Sequence, residues 1–305
     1  MTSVPASAAP LANSRVELRR HRFAAMGVGV ECLVEAAGDC GGAFAAVEQE
    51  LYRLEQILTR FRPDSDISKL NKAGALVCVP ELLEVVSMAL DARDRTGGRF
   101  DPTVHDALVA AGYDRSFSDL PRDGLLGEPP GPAGGAVLVD RAARTITLLP
   151  GARLDLGGII KGYAAERVCE LLAPHGACLV SCGGDIAVRG APAAGYWPVA
   201  VDTPDDPLTL GLPRGGMATS GRDLRRWFRG GRDQHHLIDP STGLPSTSDL
   251  LAVTVVAASA TEAEIWTKAL FLAGEAKAKA EADLASLPTV LRTADGRVVL
   301  AGGIT

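Results

Sequence analysis

The sequence predicts an α+β protein in which mixed, largely antiparallel sheets are flanked by helices. Segments typical of strands and of helices mix along the 305 residues without a steady β-α-β rhythm. The segments 136–140 and 145–150 flank a short turn and predict a hairpin. Apolar residues recur at helical spacing over Phe44–Arg60 and predict a long amphipathic helix. Hairpins combined with such helices are typical of antiparallel sheets with helical cover.

The remaining elements follow from alternation, helical spacing and turn residues. Further strands are predicted over 16–22, 28–35, 178–182, 185–190, near His236 and over 251–257, with a hairpin at the end of the chain. Further helices are predicted over 80–94, 104–112, 158–173, from 261 onward and through about 287. Pro and Gly make 116–135 a surface excursion, and 191–232 is expected to be irregular.

Composition bounds the class of protein. Hydrophobic residues make up 47% of the chain and charged residues 22%, which predicts a folded protein. We expect one domain over 16–305, preceded by a flexible tail over 1–15. The net charge of −6, without a long basic run, argues against nucleic acid as a partner. The chain contains no apolar run long enough to span a membrane and no signal-peptide pattern, so a cytoplasmic location is expected.

Six cysteines occur without a C-x-x-C pair, which argues against a zinc site. A disulfide framework is not indicated in a chain of this length. We therefore expect buried free thiols in a reducing compartment.

Three glycine-containing segments suggest ligand binding. In LDLGGIIKGY, Lys161 follows a double glycine at a helix start, where backbone N–H groups favour an anion. The alternative is an ordinary loop-to-helix junction with a chance lysine. ATSGRD is a turn of small residues that lets a ligand approach closely. HHLIDPSTGLP places His236 near a strong turn that contains Asp239. Histidine is a common general acid or base, although a single histidine is more often structural.

Two other segments place an acid where a helix runs into a loop. They are FRPDSDISKLN (61–71) and GGRFDPTV (97–104). Caps and turns explain such clusters about as well as ligand binding does. In TEAEIWTKALF, Glu264 and Lys268 stand four residues apart on one helical face. They form either an exposed ion pair or a pair of charges directed at a bound group.

Taken together and in order, these segments resemble the ApbE family, the FAD:protein FMN transferases. The resemblance also includes AAMG (24–27), GGDI (183–186) and AEIWTKALFLAG (263–274). It implies a bilobed fold with FAD in the cleft between the lobes. It further implies transfer of the FMN half of FAD to a Ser or Thr hydroxyl of a target flavoprotein, with release of AMP and usually with Mg²⁺.

The same resemblance implies roles for individual residues. Flavin-contacting positions would be Met26, Phe61, Arg99, Phe100, Asp101, Asp155, Lys161 and Ile238. Catalytic positions would be His236, Asp239 and Lys268, with His236 handling the acceptor's proton or orienting the pyrophosphate. Metal-binding positions would be Gly158, through its carbonyl, Glu264 and Thr267.

The sequence departs from the family pattern at the metal. The family has Asp where this chain has Glu264 and Thr where it has Lys268, and protonated lysine has no lone pair for a metal. Thr267 could supply the missing oxygen, the Lys268 ammonium could replace Mg²⁺, or transfer could be lost while FAD binding persists. A smaller departure is Val28, where the family usually has Thr. The alternatives to a transferase are a flavin carrier, a flavin-dependent redox protein and an FAD pyrophosphatase.

Overall fold

The computed structural model describes residues 16–304 except 122, 129–130 and 205–206. The predicted flexible tail, residues 1–15, therefore lies outside the described residues. The helices are α1 (Gly41–Leu58), α2 (Asp66–Ala73), α3 (Pro80–Arg95), α4 (His105–Ala110), α5 (Ile160–Leu172), α6 (Ala260–Ala273) and α7 (Glu275–Ala285). The strands are β1 (Glu17–Ala25), β2 (Val28–Ala36), β3 (Ala75–Val77), β4 (Val137–Asp140), β5 (Thr145–Leu148), β6 (Ala177–Cys182), β7 (Asp185–Arg189), β8 (Trp197–Val201), β9 (Leu208–Leu212), β10 (Gly215–Gly221), β11 (Arg226–Arg229), β12 (Arg232–His235), β13 (Ile238–Asp239), β14 (Leu244–Pro245), β15 (Leu250–Ala257), β16 (Thr289–Thr293) and β17 (Val298–Ala301).

One large sheet organises the fold. Over the described ranges, eight strands pair in the order β1-β2-β6-β7-β10-β15-β16-β17, and each neighbouring pair is antiparallel. Smaller antiparallel sheets join β3 and β4 to β5, β8 to β9, β11 to β12 and β13 to β14. The α+β prediction with antiparallel sheets and the predicted β4–β5 hairpin are confirmed.

Different elements pack on the two faces of this sheet. Successive side chains along a strand point to opposite faces, so neighbouring residues belong to different cores. On β6, Cys178 and Val180 belong to the core shared with α1 and α5. Leu179, between them, belongs to a second core with Trp197 and Val199 of β8. Helices therefore cover one face, and the β8–β9 hairpin covers part of the other.

The prediction of irregular backbone over 191–232 is wrong. This segment contains β8, β9, β10, β11 and the beginning of β12, with 205–206 outside the described residues. The sequence of β10, GGMATSG, is poor in residues typical of strands. Its small residues are required by packing, since a Cβ at Gly216 would collide with the backbone nitrogen of Ala260 on α6. Tertiary contact overrides local preference here.

Helices α5 and α6 cross in close contact and cap one another. The Gly162 N–H near the start of α5 donates to Oε2 of Glu264 on α6 at 2.9 Å. The Thr261 N–H at the start of α6 donates to Oε1 of Glu166 on α5 at 2.8 Å. The first N–H groups of a helix have no partner within the helix. Each helix therefore satisfies part of the other's unpaired N-terminus with a carboxylate.

All six cysteines are buried free thiols, as predicted. No helix within the described residues is long and apolar enough to cross a bilayer. The described parts of 116–135 have irregular, largely exposed backbone with a short 3₁₀ turn at Phe117–Asp119, which agrees with the predicted surface excursion.

Replacing Gly162 with Ala should destabilise the fold, because the new Cβ would lie 2.5 Å from the carbonyl oxygen of Ala260. Overpacking of this kind costs about 1–3 kcal/mol, which denaturant unfolding measures. Gly42→Ala is the matched control, since a Cβ at Gly42 in α1 meets nothing within 4 Å. Equal stability of Gly162→Ala and the parent protein would show that the helices can separate without cost.

Candidate functional site

A cleft brings together most of the residues that the sequence singled out. Its empty space, including the part open to solvent, is about 1010 Å³, which is in the range of cavities for small organic ligands. The predicted residues that line it are Met26, Phe61, Arg99, Phe100, Asp101, Asp155, Gly158, Lys161, His236, Ile238 and Lys268. Asp239, Glu264 and Thr267 are not among the residues that line it.

One wall of the cleft is aromatic and is stiffened by a buried arginine. The rings of Phe61 and Tyr113 lie 5.4 Å apart, and the Arg60 guanidinium lies 4.3 Å from the first ring and 4.9 Å from the second. Arg60 also forms a buried ion pair with Asp155. Cation–π contact and ion pairing together fix this wall, so a planar ligand meets a prepared surface.

The turn before β2 holds Met26 in a strained conformation at the cleft. Met26 has a φ of 54°, in the left-handed region that residues with a Cβ seldom adopt. Its N–H donates to Oε2 of Glu55 on α1 at 2.9 Å, which holds the turn in place. Strained residues of this kind cluster at ligand sites.

Two predicted acids make turns. Asp101 accepts hydrogen bonds from the N–H and the hydroxyl of Thr103, both at 2.7 Å. Asp101 also lines the cleft. Asp239 accepts hydrogen bonds from the N–H and the hydroxyl of Ser241, at 2.9 and 2.7 Å. The interpretation of these acids as turn residues therefore fits their contacts. Among the described residues, the side-chain bonds of Asp239 stay within its own turn, and its catalytic role stays a prediction.

A buried cluster of four charges closes the floor of the cleft. Oε1 of Glu264 lies 3.2 Å from Nζ of Lys161 and 3.3 Å from Nζ of Lys268. Lys161 also pairs with Asp185. Both carboxylates are essentially inaccessible, at 0% and 1% exposure, whereas each lysine side chain is 14% exposed. The interpretation of Glu264 and Lys268 as an exposed surface pair is therefore wrong, and the cluster presents its positive side to the cleft.

The cluster changes the acidity of its members. Burial raises the pKa of Glu264, but Lys161 and Lys268 outweigh it and lower that pKa to about 2. Burial and Glu264 raise the pKa of Asp185 to about 6, against the opposing effect of Lys161. Burial lowers the pKa of Lys161, yet Asp185 and Glu264 raise it above the usual lysine value. Burial lowers the pKa of Lys268, with Glu264 opposing this change.

The groups around Glu264 do not fit a magnesium ion. Nζ of Lys268 donates to the carbonyl oxygen and Oε1 of Glu264, at 3.1 and 3.3 Å, and to Oγ of Ser220, at 3.3 Å. The hydroxyl of Thr267 bonds inside the protein, to Ser220 and to the Glu264 carbonyl. The carbon stem of Lys268 passes over Gly158, where a Cβ would lie 3.1 Å from its Cε. Within the described part of the chain, no group of three or more His, Cys, Asp or Glu could hold a metal.

His236 has an unused nitrogen at the cleft. Its Nδ1 is buried and, among the described residues, has no hydrogen-bond partner. Burial, and after it the charges of Arg225 and Lys268, lowers the pKa of His236 well below its usual value. His236 is therefore neutral near pH 7, and its Nδ1 can accept a proton or a hydrogen bond.

Four residues that sequence reasoning did not name as site residues belong to this region. Arg60 and Arg225 line the cleft, while Asp185 and Ser220 contact its lysines. Asp185 and Ser220 lie in GGDI and ATSG, two segments that had been singled out. No spacing identifies Arg60, because its partner Asp155 is distant in the chain. Arg225 has no partner within the described ranges that could have pointed to it.

The cleft thus combines an aromatic wall with two nearly buried ammonium groups. The chain matches the model of the ApbE family over residues 26–290. It belongs to that family. The resemblance based on the separate sequence segments is thus confirmed.

Relatives of known name agree with this membership. The chain is 29% identical to the FAD:protein FMN transferase of Salmonella typhimurium, over 76% of this chain and 71% of that protein. It is 29% identical to that of Treponema pallidum, over 86% and 81%. It shares its fold with the ApbE protein of Thermotoga maritima, with a TM-score of 0.84, 24% identity and coverage of 93% and 97%. The flavinyl transferase ApbE of Pseudomonas stutzeri gives a TM-score of 0.81, with 22% identity and coverage of 95% and 96%.

Acid should destabilise the protein partly through His236. Because its pKa is lowered on folding, the unfolded chain takes up a proton below about pH 6.5 and the folded chain does not. This contribution is fully favourable above that pH and decreases as the pH falls. We expect His236→Gln to lose less stability than the parent protein between pH 7.5 and 5.5 in denaturant unfolding. The exposed His175→Gln is the control. Parallel profiles for parent and His236→Gln would contradict a neutral His236.

Proposed function

We propose that this protein transfers the FMN half of FAD to a Ser or Thr hydroxyl of a target flavoprotein and releases AMP. The main observation behind this proposal is the cleft, in which an aromatic wall lies beside two buried ammonium groups. The wall suits an isoalloxazine ring and the ammonium groups suit a pyrophosphate. Family membership and the printed names of the relatives support the same activity.

The reaction is phosphoryl transfer. The acceptor hydroxyl oxygen forms a bond to the FMN-side phosphorus, and the bond from this phosphorus to the bridging oxygen breaks. AMP leaves with that oxygen. Nδ1 of neutral His236 has no competing partner among the described residues and can accept a hydrogen bond from the hydroxyl. Because its lowered pKa makes His236 a weak base, it takes the proton only as the new bond to phosphorus forms and the hydroxyl becomes acidic. Catalysis then depends on positioning and on compensation of phosphate charge.

The predicted flavin contacts support this arrangement. Phe61, Phe100 and Ile238 offer apolar surface to the ring, and Met26 approaches through its strained turn. Lys161 has one Nζ hydrogen beyond those directed at Asp185 and Glu264, and it can donate this hydrogen to a phosphate oxygen. We assign no catalytic step to Asp239, because its carboxylate accepts hydrogen bonds within its own turn.

Lys268 stands at a position where the family resemblance implies a metal ligand, and we infer that its ammonium replaces the metal. Its ammonium already binds two oxygens of Glu264 and the hydroxyl of Ser220, so a magnesium ion there would meet a fixed positive charge. Of the alternatives raised by the sequence, these contacts favour Lys268 in place of Mg²⁺ over Thr267 as a ligand. We therefore propose transfer that does not require a divalent ion.

The partner is a target flavoprotein with a Ser or Thr acceptor. We propose a cytoplasmic location, which the free buried thiols and the composition support. We also propose one domain over 16–305, with lobes around the FAD cleft. This is supported by the central sheet, because its two edge strands, β1 and β17, come from the beginning and the end of the described chain.

The test is a mixture of the protein, FAD and an acceptor peptide, with excess Mg²⁺ or with EDTA. We expect a peptide heavier by FMN less water, with AMP, in both mixtures. Product only with Mg²⁺ would contradict the role of Lys268. Free FMN with AMP would indicate a pyrophosphatase instead. Bound, intact FAD without AMP would indicate a flavin carrier or redox protein.

Replacing Lys268 with Thr should create dependence on Mg²⁺, because it removes the fixed ammonium and adds an oxygen beside Glu264. We expect EDTA to lower the transfer rate of Lys268→Thr at least tenfold and to leave the parent rate unchanged. Lys279→Thr is the matched control, because Lys279 lies on α7 with a half-exposed side chain paired to Asp283. An equal response of Lys268→Thr and the parent protein to EDTA would contradict the replacement.

A further inference from the structure

The cations that line the cleft are not equally available to a ligand. Among the described residues, those cations are Arg60, Arg99, Lys161, Arg225 and Lys268. Arg60 is paired with Asp155, and Arg99 with Glu281 at 2.6 Å. The two lysines share Glu264, and Lys161 also holds Asp185. Four of the five cations are therefore already bound to carboxylates of the protein.

Arg225 differs from the other four. It lies in the loop between β10 and β11, and its guanidinium forms neither an ion pair nor a hydrogen bond within the described ranges of the chain. The groups on which its charge acts include His236, Lys161 and Tyr113, and none of these three is anionic. Burial and then the charge of Arg225 lower the pKa of His236, and the same charge opposes the rise in the pKa of Lys161. The positive charges of Arg225 and Lys161 repel each other, and an anion bound between them would reduce this repulsion.

The charges already present in the cleft indicate why an unpaired cation matters for binding a pyrophosphate. In the floor cluster, two ammonium groups face two carboxylates, Asp185 and Glu264, so the cluster carries no net charge. A pyrophosphate diester brings a negative charge on each phosphate into a cleft from which water is partly excluded. Without a metal, a cation that the protein has not already paired can compensate one of these two negative charges.

We propose that the Arg225 guanidinium binds the pyrophosphate of FAD together with Lys161 and supplies a positive charge that the balanced cluster lacks. The proposal rests on the proposed function insofar as that function places FAD in the cleft. The planar guanidinium can donate two parallel hydrogen bonds to phosphate oxygens, which an ammonium cannot do. Its position on a loop lets it close on the ligand without moving the sheet.

Arg226 offers a matched control one residue away. Its side chain is 55% exposed and is paired with Asp233 at 2.7 Å, and Arg226 is not a residue that lines the cleft. Replacing either arginine with Ala removes the same charge and the same volume from the same short segment. A difference between the two variants therefore reports on the cleft and not on net charge.

The experiment is a fluorescence titration of parent, Arg225→Ala and Arg226→Ala with FAD and with riboflavin, which lacks phosphate. We expect Arg225→Ala to raise the Kd for FAD about 10- to 100-fold, and to change the Kd for riboflavin less than threefold. Arg226→Ala should match the parent for both ligands. Arg225→Lys should recover part of the FAD affinity, since it restores the charge but not the bidentate geometry. The FAD affinity of the parent should fall with salt more steeply than that of Arg225→Ala.

Three results would overturn the proposal. They are equal FAD affinity of Arg225→Ala and the parent, equal losses of FAD and riboflavin affinity, and an equal effect of Arg226→Ala. Matching unfolding curves for the two alanine variants would show that a loss is not caused by misfolding. Selective loss of FAD affinity in a protein that never modifies the acceptor peptide would support the role of Arg225 and contradict the proposed transferase.

Discussion

The buried carboxylate of Glu264 is the interaction on which the site and the fold both depend. One oxygen faces the Lys161 and Lys268 ammonium groups, and the other accepts the N–H of Gly162. An unpaired carboxylate at 0% exposure would be very costly, so these partners are obligatory. A single side chain therefore joins the α5–α6 crossing to the floor of the cleft.

The cleft shows how a neutral arrangement can still attract an anion. The carboxylates of the cluster lie behind their lysines and out of reach of solvent, so a ligand meets the ammonium groups first. Burial, and after it the charges of Arg225 and Lys268, lowers the pKa of His236 and keeps it neutral. The electrostatics of the cleft thus link the state of His236 to the cations around it.

Much of this arrangement could be predicted from the sequence, and the predictions that failed did so for identifiable physical reasons. Helical spacing and alternation located α1, α3, α5 and β2 because their apolar faces are regular. β10 was missed because close packing against α6 requires glycine where a strand would normally have larger residues. Most residues predicted for the site lie in ordered local segments and line the cleft. Arg60 comes to the cleft with a distant partner, Asp155, and Arg225 comes there only through the course of the chain. The spacing of Glu264 and Lys268 indicated a pair but could not reveal its burial, since that depends on α5.

The reciprocal capping of α5 and α6 has a consequence for motion. The amides of Gly162 and Thr261 are each bonded to a carboxylate of the other helix, so neither helix start can fray alone. Their hydrogen exchange must then follow opening of the whole helix pair, near the free energy of global unfolding. Entry and release of a ligand would be left to segments held by fewer bonds, such as the loop between β10 and β11. The capped helix starts below the cleft and the loop at its rim are therefore different parts of the chain.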